Sequence, residues 1–108
     1  KVNFNKTNWL ISIELSYDTS LNDLLEVGPH LIKEPSTEPN VKQIGIRLSL
    51  THPFMVEYAG TENGKIEPIL KMAAAIGLAE IIAKERGAKT QGEIRRNFNQ
   101  LITKISQS

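Results

Sequence analysis

The stretch Met72–Ala83 reads Met-Ala-Ala-Ala-Ile-Gly-Leu-Ala-Glu-Ile-Ile-Ala and carries one charge, Glu80. It lies inside a longer helical pattern, Ile66–Arg86. A surface helix usually keeps one polar face, whereas this stretch is apolar nearly all the way round. A chain of 108 residues rarely buries one helix on every side within its own fold. The helix is therefore either the centre of a small core or the place where another polypeptide docks.

Two segments on the N-terminal side of this helix alternate with a period of two residues. Trp9–Tyr17 places its odd-numbered apolar residues on one side, and Gln43–Leu50 does the same with its even-numbered ones. This pattern is typical of strands with one solvated face, which need a partner layer for the other. We predict an α+β fold: a small two-layer domain in which an antiparallel sheet of two or three strands is covered by a two-helix hairpin.

The segment between these strands predicts less regular structure. A short helical turn is expected at Leu21–Val27, and Gly28-Pro29 ends it. An extended piece at His30–Lys33 could form the third strand. The polar segment 34–40 contains two prolines and predicts a surface loop.

The second helix is expected at Thr90–Ile105. It opens on a capping-box pattern from Thr90 to Glu93, and Gly87 is expected to end the first helix in a left-handed conformation. Its apolar stripe consists of Ile94, Phe98, Leu101, Ile102 and Ile105. The predicted core of the domain contains Trp9 or Leu10, Ile11, Ile13, Leu15, Ile46, Leu48, Ile69, Ile76, Phe98 and Leu101.

Length and composition place the chain among ordinary globular domains. Its 108 residues fit a single domain, 1–108, which we expect to be excised from a longer protein because it begins at Lys1. The sequence contains no cysteine, which fits a reducing cytoplasm. Its apolar runs fall short of the roughly 18 residues that a membrane span requires. A cytoplasmic protein without a membrane partner is expected.

The titratable residues do not form a recognisable catalytic motif. His52 follows a strand but has no second ligand at a metal-binding spacing, so a structural role is favoured over a catalytic one. Asp18 and Asp23 occupy positions where carboxylates favour a helix N-terminus. We predict that the chain is not an enzyme and binds no cofactor or metal.

A nucleic-acid-binding module is the alternative from another class of function. The net charge is +1, but residues 41–108 carry ten basic and six acidic side chains, a balance of +4. The basic side chains that would contact nucleic acid are Arg86, Lys89, Arg95 and Arg96. Interleaved acidic residues and the lack of neighbouring aromatic residues favour a solvated helix face instead.

Small residues in the long helix allow a close neighbour, either the domain's own sheet or a symmetry mate. Because apolar side chains lie on several faces of this helix, we predict self-association, with two-fold symmetry as the commonest closed arrangement. The expected contacts are Met72, Ile76 and Ala79. An exposed sheet edge that pairs across the axis is the other arrangement.

Three segments together resemble a known family. These are Thr-His-Pro-Phe after a strand, the helix Glu-Pro-Ile-Leu-Lys-Met-Ala-Ala-Ala-Ile-Gly-Leu-Ala-Glu-Ile-Ile, and Arg-Arg-Asn-Phe-Asn-Gln-Leu at 95–101. They resemble the C-terminal part of bacterial and phage-associated ATP-binding proteins that carry a histidine-kinase, gyrase B and Hsp90-like ATPase domain near the N-terminus. Ile13–Asp18 is similar to the preceding strand of those proteins. The resemblance covers roughly residues 9–104.

The resemblance implies an accessory role. The ATPase domain of that family binds Mg-ATP through an asparagine-bearing helix, an Asp-x-Gly segment and a glycine-rich lid, and this sequence has none of them. The resemblance therefore implies a non-catalytic C-terminal accessory domain for oligomerisation or partner coupling. Its expected partner is a second copy or the ATPase domain of the parent protein.

Overall fold

The two alternating segments lie in one sheet. The computed structural model describes residues 2–59 and 63–106 of the chain. The strands are β1 Val2–Phe4, β2 Thr7–Ser16, β3 Leu25–Val27 and β4 Val41–Ser49, and they lie side by side in the order β1-β2-β4-β3. The helices are α1 Asn63–Glu85 and α2 Gln91–Ser106, with a 3-10 turn at Pro29–Leu31 and a π-helical turn at Met55–Ala59. The predicted α+β class is confirmed.

The central pair of strands is parallel, so the predicted antiparallel sheet is wrong for β2 and β4. Ile11 pairs with Ile44 and Ile13 with Ile46, which places their side chains on the face that the helices cover. Alternation determines which face a strand buries, but it carries no information on strand direction. The outer strands β1 and β3 are antiparallel to their neighbours, and the sheet is therefore mixed.

The third strand lies at Leu25–Val27, where a helical turn was predicted. His30–Lys33, the predicted strand, instead overlaps the 3-10 turn. Leu24 and Leu25 are both buried, which favours an extended segment held against β4 over a short exposed helix. Leu31 packs over Gly45, where an added Cβ would lie 2.9 Å from the Leu31 backbone. Only glycine allows this approach.

The sheet has a fourth strand that the sequence interpretation missed. β1 forms a hairpin with β2 through Asn5 and Lys6, whose φ angles are 52° and 66°. Two consecutive left-handed residues are the mark of a type I′ turn, which matches the twist of paired strands. Asparagine tolerates this conformation well, but the lysine beside it gave no turn signal.

The helix α1 packs closely on the sheet through its small residues. Ala73 and Gly77 are buried, and a Cβ on Gly77 would lie 2.7 Å from Ile46 Cδ1. The helix starts at Asn63 rather than Ile66, so Pro68 lies inside it. Its end matches the prediction: Gly87 has a φ of 95°, and the amides of Gly87 and Ala88 donate to the carbonyls of Lys84 and Ala83.

The core lies between the helices and the covered face of the sheet. Trp9, Ile46 and Leu48 are buried as predicted, and Ile11, Ile13, Ile69, Ile76 and Phe98 pack around them. Leu15 and Leu101 were also predicted core residues, but both are exposed. Leu15 lies near the end of β2, and Leu101 lies on a face of α2 that turns away from the sheet.

Candidate interaction surface

An apolar cleft opens between α1, α2 and the sheet. It has a volume of about 150 Å³, and apolar side chains line it throughout. The lining residues are Leu24, Leu25, Leu48, Phe54, Ile69, Met72, Ala73, Ile76, Phe98 and Ile102. A wholly apolar cleft supplies no hydrogen-bonding group to orient a polar substrate, so its chemistry favours contact with apolar side chains.

The predicted contact residues of α1 do not form one surface. Met72, which is 66% exposed, and Ile76, which is half-buried in the core, line the cleft. Ala79 is exposed on another side, in a shallow depression next to Phe4 and Ile82. The structure therefore joins Met72 and Ile76 and separates Ala79 from them.

Two residues of the α2 stripe, Phe98 and Leu101, were predicted in the core, and the prediction is wrong for Leu101. Phe98 and Ile102 pack against the core. Ile94, Leu101 and Ile105 are 78%, 57% and 64% exposed. Three exposed aliphatic side chains along one helix, beside an apolar cleft, form an apolar surface of the kind that marks an interaction site.

Polar side chains, together with Phe98 and Ile102, dock α2 onto the body of the domain. Asn99 is buried and forms two hydrogen bonds with Leu25: its amide nitrogen donates to the Leu25 carbonyl at 2.8 Å, and its oxygen accepts from the Leu25 N–H at 2.9 Å. Arg95 Nε donates to both carboxylate oxygens of Glu80, each at 3.1 Å. These contacts fix the rotation of α2 about its own axis, which leaves Ile94, Leu101 and Ile105 outside.

His52 joins the end of the sheet to α2. The Phe54 N–H donates to His52 Nδ1 at 3.1 Å, and Nε2 lies 2.8 Å from Thr103 Oγ1. The Thr103 hydroxyl donates its only proton to the Asn99 carbonyl, so Nε2–H must be the donor to Thr103. The ring is therefore neutral, and both of its nitrogens form hydrogen bonds within the fold.

Acidification should destabilise the domain through His52. Burial lowers the pKa of His52 below the ordinary 6.5, and the charge of Asp23 opposes this shift only in part. Because the unfolded chain then binds the proton more tightly, the stability that the neutral ring provides is complete above about pH 6.5 and decreases as the pH falls below it. Urea unfolding between pH 7.5 and pH 5.5 should show the loss.

The matched control for this prediction is the exposed His30. His52→Asn should reduce the pH dependence of the free energy of unfolding in that range, whereas His30→Asn should retain it. An unchanged pH dependence in His52→Asn would assign the effect to other groups. Glu14 and Asp18 do not titrate in this range, because their pKa values are lowered from ordinary values of 4.5 and 3.8.

A row of charges crosses the face of the sheet that turns away from the helices. Arg47 lies between Glu14 on β2 and Glu26 on β3, at 2.6 and 3.5 Å, and Lys33 lies 2.6 Å from Glu14. Hydrogen bonds from Lys33 and then Arg47 lower the pKa of Glu14, and the bond to Glu14 raises the pKa of Arg47. These opposite charges neutralise one another, which is typical of a solvated sheet face.

The four basic residues of the nucleic-acid alternative do not act as one patch. Arg86, Lys89 and Arg96 are exposed near the turn between the helices. Arg95 is held against Glu80, and only 16% of its side chain is exposed. A phosphate would have to compete with Glu80 for Arg95. The nucleic-acid alternative therefore retains Arg86, Lys89 and Arg96 as predicted phosphate contacts.

No protein-family model, curated protein or solved structure matches this chain. Within 2–59 and 63–106, His, Asp and Glu side chains form no group of three that could hold a metal ion. Over the same two ranges, every helix is too short or too polar to span a bilayer.

Sequence interpretation missed the residues that position this surface. Asn99 and Leu25 are 74 positions apart, and Arg95 and Glu80 are on different helices. The signal in the sequence was indirect. Asn99 and Arg95 flank the apolar stripe of α2 on one side, where a helix face buried in an apolar core would carry apolar residues. A polar residue at such a position is often a docking residue, but its partner cannot be identified from spacing.

Proposed function

We propose that this chain is a non-catalytic accessory domain that self-associates through the apolar surface of its helix layer. The observation that supports this most directly is the set of exposed aliphatic side chains on α2 beside the apolar cleft. Covering such a surface releases water from apolar groups and favours association. In a two-fold dimer the same surface of each copy contacts that of the other, so one apolar surface forms both sides of the interface.

The placement of this domain in a longer protein stays a prediction. It rests on the resemblance to the C-terminal part of Hsp90-like ATP-binding proteins, in which a domain of this kind would transmit ATP-driven movement to a partner. The ATPase domain of such a parent protein is then the second possible occupant of the apolar surface. The cytoplasmic location is also still a prediction.

Sedimentation equilibrium of the purified chain tests the proposal. A single chain has a mass of 12.0 kDa, so self-association should give a concentration-dependent mass that approaches twice that value. The sample should also release no phosphate from Mg-ATP. A chain that remains monomeric across the micromolar range would overturn self-association and favour docking within the parent protein.

The same sample tests the nucleic-acid alternative. Binding to duplex DNA at low salt that weakens steeply as salt rises would support it, since phosphate contacts release counterions. Because Glu80 already neutralises Arg95, we expect no such binding. Arg86, Lys89 and Arg96 would be the remaining phosphate contacts.

A further inference from the structure

The exposed stripe of α2 is narrow and regular. An α-helix turns about 100° per residue, so the spacing of Ile94, Phe98, Leu101 and Ile105 keeps all four side chains within about 60° of one another. Three of them are mostly exposed, and Phe98 is half-buried at the rim of the cleft. Alternating steps of four and three residues form the contact seam of paired helices.

The polar contacts of α2 with its own domain lie to one side of this stripe. Asn99 and Arg95, which hold α2 to β3 and α1, are on the helix face next to the stripe. The stripe can therefore be covered by another helix without disturbing either contact. Glu93, Asn97, Gln100 and Lys104 lie along the opposite side of the stripe and are exposed.

We propose that α2 pairs antiparallel with α2 of a second copy across a two-fold axis. This arrangement specifies which helices meet in the proposed self-association, and it rests on that proposal. The steps along the stripe are four, three and four, an order that reads the same in both directions. An antiparallel second helix therefore places Ile94 against Ile105 of the second copy and Phe98 against its Leu101, and each contact occurs twice.

The flanking charges select the antiparallel direction. Glu93 and Lys104 are on the same side of the stripe, at opposite ends of α2. Antiparallel pairing brings Glu93 of each copy alongside Lys104 of the other, whereas a parallel pair places the two flanks on opposite sides of the seam, where these charges do not meet. Asn97 and Gln100, between them, meet across the axis in the same way. The apolar stripe and its polar flank thus match a second copy of themselves.

The surface differs from the one predicted on α1. Met72 lies at the cleft on α1, and Ala79 lies further round that helix. The antiparallel pair needs neither of them. Met72→Lys therefore tests the rival contact at the cleft. Val56→Lys is the control, because Val56 is 63% exposed and does not line the cleft.

Sedimentation equilibrium of variants tests the pairing once the wild-type dimer is measured. Leu101→Lys should weaken dimerisation at least about tenfold, because it places a charge at the centre of the seam. Val56→Lys should leave the dimer unchanged. A dimer that Met72→Lys breaks and Leu101→Lys spares would overturn the α2 pair and leave the proposed self-association standing. A monomeric wild type would overturn both.

A charge exchange identifies the direction of the helices. Glu93→Lys and Lys104→Glu should each weaken the dimer, and the double variant should restore it. The two positions are 11 residues apart, about 16 Å along one helix, so they cannot compensate for each other within one chain. Failure of the double variant to recover dimerisation would overturn the antiparallel arrangement.

Discussion

Replacing Asn99 by alanine is expected to lower the free energy of unfolding by roughly 2–4 kcal/mol, because the change leaves two buried groups of Leu25 without their partner. Asn99 is almost fully buried, and its amide satisfies both the N–H and the carbonyl of Leu25 at the outer edge of β3. β3 has only three residues, so it has few other bonds to hold it. Urea unfolding followed by circular dichroism gives the change directly.

Two further variants make the Asn99 prediction specific. Asn97→Ala, on the exposed side of the same helix, should change stability by less than about 0.5 kcal/mol. Asn99→Asp should destabilise as well, since a carboxylate accepts from the Leu25 N–H but would turn an oxygen toward the Leu25 carbonyl. Equal effects of Asn99→Ala and Asn97→Ala would show that the two bonds do not hold α2 to the sheet.

Hydrophobic alternation predicted the faces of the sheet but not its topology. Trp9, Ile44 and Ile46 all face the helices, as their spacing indicated. The direction of β4 relative to β2 depends on the path of residues 17–40, which carry no strong local signal. β3 depends on contacts with Leu48 and Asn99 that are distant in sequence. Local patterns report burial, whereas strand order follows from long-range pairing.

The sequence predicted an exposed apolar surface on α1, whereas most of the exposed aliphatic side chains of the helix layer lie on α2. An amphipathic helix usually turns its apolar stripe to its own core, so Leu101 was expected to be buried. Polar contacts by Asn99 and Arg95 fix α2 in another rotation, which buries one edge of the stripe and exposes Ile94, Leu101 and Ile105. The spacing of the stripe is visible in the sequence, but the face that the fold buries is determined by partners on other elements.

The Arg95–Glu80 pair should contribute more to stability than an ordinary surface ion pair. Only 16% of the Arg95 side chain and 9% of the Glu80 side chain are exposed. Removing one partner leaves the other charge in a poorly solvated place, so Arg95→Ala should cost about 2–3 kcal/mol, somewhat below the figure for a fully buried pair. Lys89→Ala, at an exposed position of the turn between the helices, should change stability by less than about 0.5 kcal/mol.

A double-mutant cycle separates the ion pair from the loss of side-chain packing. Glu80→Gln should also destabilise the domain, and the variant that carries both changes should be more stable than the sum of the two losses predicts, because no unpaired charge remains. Strict additivity would mean that the two side chains act independently. In that case Arg95 would be available to a phosphate, and the nucleic-acid alternative would regain its fourth contact. A coupling of about 1 kcal/mol or more would instead assign Arg95 to the docking of α2, which keeps the apolar stripe on the outside.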